Sequence, residues 1–183
     1  GNEAEAILEP ANCPDVAGVV AVDQDGALAD HSNRGPEALL AAPGGNCYYD
    51  RAGGCDYQLT TATNLGLRQP GGAACTTANL DPTFGTSFAS PIAAGVAALM
   101  LGVHPDLQPE AIYRRLSQGS APFIGGFGSQ TCTTALCGAG MLDARNAAEL
   151  ASLPQVRIVM PQRTDDGRYS IDGSYSSAAA GRT

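Results

Sequence analysis

The sequence contains no lysine and only two histidines, His31 and His104. The first absence leaves ten arginines against 18 acidic residues, a net charge of −8, which disfavours binding to a nucleic-acid backbone. The second confines any chemistry that needs an imidazole base to two positions. No uninterrupted apolar run approaches the roughly 20 residues of a membrane span, so no membrane-spanning segment is expected. There is no Cys-x-x-Cys pair, and no histidine lies near Cys47, Cys55 or Cys75, so a zinc site is not expected either.

What is present suits a folded, loop-rich chain. Its 183 residues, 44% hydrophobic with 23 glycines and 12 prolines, suffice for one domain with a core and argue against disorder. Six cysteines in an acidic, lysine-free chain point to an oxidising, extracytoplasmic compartment, a secreted, periplasmic or cell-surface setting. No signal peptide is visible. The chain opens on Gly1-Asn2 with no strand before it and stops at Gly181-Arg182-Thr183 just after a strand-like stretch, and is expected to be a fragment.

The chain is organised around Gly85-Thr86-Ser87-Phe88-Ala89-Ser90-Pro91 and the apolar run from Ile92 to Leu101. A helix built from that run is apolar on all sides and is expected in the middle of a domain. Pro91 suits its first turn, and Ser87 or Ser90 suits the capping of its free amides. A serine hydroxyl at the mouth of a helix has first-turn amides as neighbours, and those can hold a negatively charged oxygen.

Gly-Thr-Ser-x-Ala-x-Pro ahead of a small-residue helix resembles the nucleophile segment of the subtilisin-like serine proteases, including the proteinase K branch. The resemblance marks Ser87 as the nucleophile. Phe88 stands where Met is usual, and Ile92-Ala93 where His-Val usually follows the proline. Gly1-Asn2 resembles the end of the family's Ala-Ala-Gly-Asn segment, which implies that Asn2 donates its side-chain amide to the oxyanion, with the Ser87 backbone N–H as second donor and Thr86 as a support for the asparagine. The family's catalytic aspartate and histidine lie upstream of that segment. His31 and His104 have structural explanations instead: His31 takes an aromatic's place in Ala29-Asp30-His31-Ser32-Asn33-Arg34-Gly35, which resembles the family's Ser-Phe-Ser-Asn-x-Gly link, and His104 sits just past a helix C-terminus, where a cationic ring is favoured.

The order of elements agrees with that placement, and the resemblance spans Gly1 to Leu150. Val16 to Asp23 and Ala38 to Ala42 read as buried parallel strands, the first ending in the turn signal Asp25-Gly26 and the second in Pro43-Gly44-Gly45. Asn46 to Thr83 reads as a loop or hairpin insertion pinned by disulfides. After His104-Pro105 a short amphipathic helix is expected, with Ala111, Ile112, Leu116 and Tyr113 inward and Arg114 and Arg115 outside. Cys132 and Cys137 are close enough to bond to each other. Gly138-Ala139-Gly140-Met141-Leu142-Asp143-Ala144 again resembles the family and makes Asp143 a helix cap. The resemblance implies that Cys13 pairs upstream. Two of Cys47, Cys55 and Cys75 then pair, with 47–55 favoured.

The expected fold is therefore an incomplete α/β, three-layer, subtilisin-like domain over residues 1–153, with a mainly parallel sheet flanked by helices. Residues 154–183 read as the start of a β-sandwich-like domain or a linker. Val156 to Met160 and Tyr169 to Ser174 form two expected strands, and Asp172-Gly173-Ser174-Tyr175-Ser176 resembles an immunoglobulin-like domain of the polycystic-kidney-disease type. The activity implied is peptide-bond hydrolysis through an acyl-enzyme on Ser87, by a monomer acting on proteins or peptides. No cofactor enters that chemistry. The family often binds structural calcium, but Leu39 stands where proteinase K-like members carry an acidic ligand, and no calcium site is assignable. The resemblance gives no side-chain preference: one wall of the family's specificity pocket lies upstream, and Glu3 to Pro10 diverges too far from the family. Two alternatives stand beside this reading: an inactive subtilase-like binding module, and an esterase with a Gly-x-Ser-x-Gly elbow, which the absence of any histidine after His104 disfavours.

Overall fold

The computed structural model describes residues 1–46, 59–64, 66, 68–76, 84–123, 131–154, 162–163 and 168–170. Two adjacent parallel strands form its centre, β1 (Gly18–Val22) and β2 (Ala38–Pro43), in the register Val19↔Leu40, Val20↔Ala41, Ala21↔Ala42. β1 is built from glycine, alanine and valine and β2 from alanine and leucine up to its closing proline, apolar throughout as strands covered on both faces must be. Alternation divides the side chains between two cores. Ala21, Leu40 and Ala42 pack toward the long helix, while Val20, Val22 and Ala41 face Ile7, Leu28, Cys132 and Cys137.

The helix-side layer contains α1 (Thr86–Val103), α2 (Pro109–Gly119) and α4 (Ala144–Ala151); the short α3 (Thr134–Cys137) lies against β2. With the sheet between them, these make the expected three-layer, subtilisin-like α/β arrangement. A further piece extends the sheet beyond β2: Met141 bridges Ala41 in parallel, and Ala139 N–H donates to Leu39 O at 2.9 Å. Gly138 permits this approach. Its φ is 78°, and a Cβ there would lie 2.6 Å from Leu39 O and Leu40 N. The Cys132–Cys137 disulfide forms as expected, with Cα atoms 5.6 Å apart.

Asn46–Thr83 does contain a hairpin, β3 (Thr61–Asn64) antiparallel to β4 (Ala73–Thr76). Cys47 and Cys55, and with them the favoured pairing, lie outside the described residues; Cys13 carries a free thiol. In the C-terminal segment, β5 (Gln162–Arg163) pairs with β6 (Tyr169–Ser170). The strand expected over Val156 to Met160 and the Asp-Gly-Ser phrase lie outside the described residues.

Three expectations need correction. First, α1 begins at Thr86, so Pro91 sits inside the helix rather than in its first turn, and the N-cap position is Gly85, with neither Ser87 nor Ser90 capping. Proline there removes the N–H that would have bonded to the Ser87 carbonyl, and its ring crowds that same carbonyl. Second, α1 is not enclosed. Ala89, Ala93, Val96 and Met100 are buried against β1, β2, α2 and α4, while Leu99 is 59% exposed and Ile92, Leu101 and Val103 each 37%. Neighbours cover one stripe of a helix that is apolar all round. It is long and apolar enough to cross a membrane by length and composition, although here it packs on the sheet.

Third, Arg115 is buried while Arg114 is outside as expected. The reason lies in α4, whose last carbonyls have no intrahelical donors. Arg115 Nη1 donates to Ala151 O at 3.1 Å and Nη2 to Leu153 O at 3.0 Å. Burial, and then the neighbouring Arg114 charge, lower its pKa. Otherwise α2 follows its pattern: Ala111, Ile112 and Leu116 are buried, and Tyr113 is half-buried with its hydroxyl donating to Asp15 O. Asp143 caps α4 as expected, accepting from Asn146 N–H at 2.9 Å.

Candidate active site

The start of α1 is held at the C-terminal ends of β1 and β2. Gly44, just past β2, donates its N–H to Val22 O at 2.9 Å and accepts from Gly85 N–H at 2.7 Å. Ligand sites in open parallel sheets commonly form beyond these strand ends. Gly85 has φ 143°, and a Cβ there would come 3.1 Å from Asn2 Nδ2. Glycine therefore serves two needs at one residue: the backbone turn into the helix and the space for Asn2.

Asn2 and Ser87, 85 positions apart in sequence, are brought to this one place. Asn2 Oδ1 accepts from Thr86 N–H at 3.0 Å and from Thr86 Oγ1–H at 2.9 Å. The Thr86 N–H is a first-turn amide with no intrahelical acceptor, so Asn2 caps it from across the chain. The contact also orients the asparagine: a backbone N–H can face only the amide oxygen, which leaves Nδ2 on the opposite side. Nδ2 makes no hydrogen bond to the described residues. Gly1 N donates to Thr86 Oγ1 at 3.2 Å, completing the clamp.

Ser87 is the second helical residue and is exposed. Its backbone N–H lies in the first turn, at the positive end of an 18-residue helix. Its hydroxyl has no hydrogen-bond partner among the described residues. A carbonyl attacked there would develop negative charge beside two donors, the Ser87 N–H and the Asn2 amide.

Neither histidine is placed to take the serine proton. The His31 ring meets Phe84 edge-on, with centroids 5.0 Å apart, and both ring nitrogens are buried without partners. It fills an aromatic's slot, as expected. Burial lowers its pKa most, and the nearby Asp30 acts the other way. His104 is buried at the end of α1, with Nδ1 3.2 Å from Ala151 O, so that nitrogen carries the proton. It does follow a helix C-terminus, but its ring serves the carbonyl end of α4. Among the described residues, no three His, Cys, Asp or Glu side chains gather as metal ligands would. Leu39 is half-buried in β2.

The profile of the subtilase family, peptidase S8, matches residues 1–148, and the chain belongs to that family. An extracellular protease from Xanthomonas campestris pv. campestris is 33% identical over 153 residues, which cover 82% of this chain and 23% of that protein. Halolysin from Haloferax mediterranei is 32% identical over 151 residues, 80% of this chain and 22% of its own length. The solved structure of a protease from Pseudoalteromonas arctica is 32% identical with a TM-score of 0.69, covering 83% of this chain and 41% of that one. A prenylagaramide maturation protease is 28% identical with a TM-score of 0.58, covering 82% and 48%. The chain thus spans less than half the length of these relatives.

The sequence singles out Ser87, Asn2 and Thr86, and the fold brings the three together at one helix start, with Thr86 bonded to Asn2. Sequence reasoning named Gly85 as the first residue of the serine segment but missed its part in making room for Asn2, and it read Gly44 only in the turn that closes a strand.

Proposed function

We propose that this chain is the C-terminal part of the catalytic domain of a secreted serine endopeptidase. In this reading Ser87 Oγ attacks a peptide carbonyl and forms an acyl-enzyme, while Asn2 Nδ2 and the Ser87 N–H stabilise the oxyanion. The observation that carries it is the Asn2–Thr86 clamp, which turns a free amide N–H₂ outward at the same helix start that exposes an unbonded serine hydroxyl.

The base and its orienting acid come from a segment N-terminal to Gly1. Three observations support this: neither histidine reaches Ser87, one side of α1 is apolar and uncovered, and the chain spans 41% of the Pseudoalteromonas enzyme. That segment would also cover Ile92, Leu99 and Val103. Subtilase membership and the likeness to an extracellular protease of Xanthomonas support protein substrates and secretion. The reaction needs no cofactor, the enzyme acts as a monomer, and residues 154–183 begin an accessory β domain.

The test compares two proteins on casein. Residues 1–183 alone should leave it intact. The polypeptide extended upstream by the missing half should hydrolyse it, and Ser87→Ala should abolish that activity. Serine-dependent turnover by residues 1–183 alone would overturn the assignment of the base, and an inert extended enzyme would favour the inactive binding module.

A further inference from the structure

Asn2 makes no backbone hydrogen bond of its own to the described residues. Its place beside α1 is therefore set by its side-chain contact with Thr86 and by the groups that fix its two neighbours in sequence. Among the described residues, only Asn33 bonds to both neighbours. Its backbone N–H donates to Gly1 O at 3.0 Å, and its side-chain Oδ1 accepts from Glu3 N–H at 2.9 Å. The same oxygen accepts from Glu5 N–H at 3.5 Å, and Nδ2 donates to Ala6 O at 3.1 Å. Two amide N–H groups facing one atom identify it as the oxygen, so the side chain has one orientation and its polar atoms all serve the segment that carries Asn2. The fit is close: a Cβ on Gly1 would collide with the Asn33 amide.

Asn33 is in turn tied to the sheet. It is 4% exposed, and Ser32 before it is fully buried. Ser32 Oγ accepts from Ala21 N–H in β1 at 2.9 Å and donates to Asn33 O at 2.9 Å. Two further bonds, Ala4 N–H to His31 O and Arg34 N–H to Glu5 O, both 2.9 Å, hold the segment after Asn2, but they use backbone groups that a side-chain substitution leaves in place. β1 thus holds Asn33, and Asn33 holds the backbone on either side of Asn2. The Ser87 N–H is fixed to the same strand pair through Gly44 and Gly85. A hydrogen bond weakens steeply when its donor is misaimed, so two donors that meet one oxyanion need a common frame.

We propose that Asn33 is a positioning residue for the reaction, holding the backbone on both sides of Asn2 so that the Asn2 amide and the Ser87 N–H reach the oxyanion together. The proposal rests on the peptidase reading for the chemistry. Its first test does not need catalysis.

Asn33→Ala keeps the backbone bond to Gly1 and removes the side-chain bonds to Glu3, Glu5 and Ala6. In residues 1–183 it should shift the backbone amide resonance of Thr86 and the side-chain amide resonances of Asn2 as their contact loosens. Arg115→Met, which perturbs the fold at the far end of α4, should leave both in place. In the upstream-extended enzyme, Asn33→Ala should lower kcat on a peptide ester roughly tenfold with little change in KM, as misplacement of a transition-state donor does. Added to Asn2→Ala, it should lower kcat by less than about twofold, because no amide is left to position. Arg115→Met, assayed well below its Tm, should keep the parent kcat. Asn33→Asp retains an acceptor for Glu3 N–H and should lower kcat less than Asn33→Ala; it replaces the alanine variant in both measurements if that variant does not fold. An equal fall in kcat in the parent and Asn2→Ala backgrounds would make Asn33 a scaffold residue and overturn the proposal, as would unmoved Thr86 and Asn2 resonances or an unmoved kcat. Shifted resonances in a protein whose extended form cleaves nothing would support the link from Asn33 to Asn2 while the peptidase reading failed.

Discussion

In the upstream-extended enzyme, Asn2→Ala should lower kcat by roughly 10²–10³, with little change in KM, a magnitude taken over from another subtilase whose oxyanion donor was removed. The expectation follows from how Asn2 is held. Oδ1 is occupied by two Thr86 donors, so its energetic link to the helix is the same before and during reaction. In the proposed reaction Nδ2, which bonds to none of the described residues, donates to the developing oxyanion, and a bond made mainly in the transition state appears in kcat. The substitution also removes the cap on the Thr86 amide. That loss should register as a fall in thermal stability, and Asn2→Asp separates the two effects: it restores an acceptor for Thr86 while supplying no N–H donor. Steady-state kinetics on a peptide ester would decide the matter. A raised KM with unchanged kcat in Asn2→Ala would make Asn2 a substrate contact or a scaffold residue.

Arg115→Met should destabilise the fold by about 2–4 kcal/mol, whereas Arg114→Met should change it by no more than about 0.5 kcal/mol. The two arginines are adjacent but differ in what they touch. Arg114 is exposed, while Arg115 is buried and its guanidinium gathers carbonyls from Ala151 and Leu153 at the end of α4. Methionine keeps most of the stem and removes every donor, leaving Leu153 O without the guanidinium and Ala151 O with His104 alone, in a place water reaches poorly. For a chain of this size the change corresponds to a fall in Tm of roughly 5–15 °C, measurable by calorimetry. Matching melting curves for the two variants would show that the Arg115 contacts contribute nothing net.

The features legible in the sequence were those set by short-range rules. The short continuous apolar runs gave β1 and β2, the spacing of Ala111, Ile112 and Leu116 gave the inner face of α2, and a five-residue separation gave the Cys132–Cys137 bond. Asp143 stood where a cap was needed and serves as one. Features depending on distant partners were not legible. Arg115 looks like any polar residue on the outer face until α4 arrives with unbonded carbonyls. The start of α1 was misplaced because proline is a strong signal for a first turn, yet the amide at the true start is capped by Asn2, more than 80 residues away. The uncovered side of α1 likewise depends on which neighbours are present, which its uniform apolar composition cannot specify.

At the candidate site the division is similar. Ser87 was recognisable from its local motif, and Asn2 from a dipeptide matched to the same family. Their shared position at one helix start, with Gly85 and Gly44 fixing it to the sheet, required the folded chain.

Labelling with a fluorophosphonate, which traps an activated serine, tests the central claim most directly. The upstream-extended enzyme is treated with the probe, digested and mapped by mass spectrometry. Stoichiometric modification of Ser87, absent in Ser87→Ala, is the expected result. Modification of a different serine, or none at Ser87 in a preparation that hydrolyses casein, would contradict it.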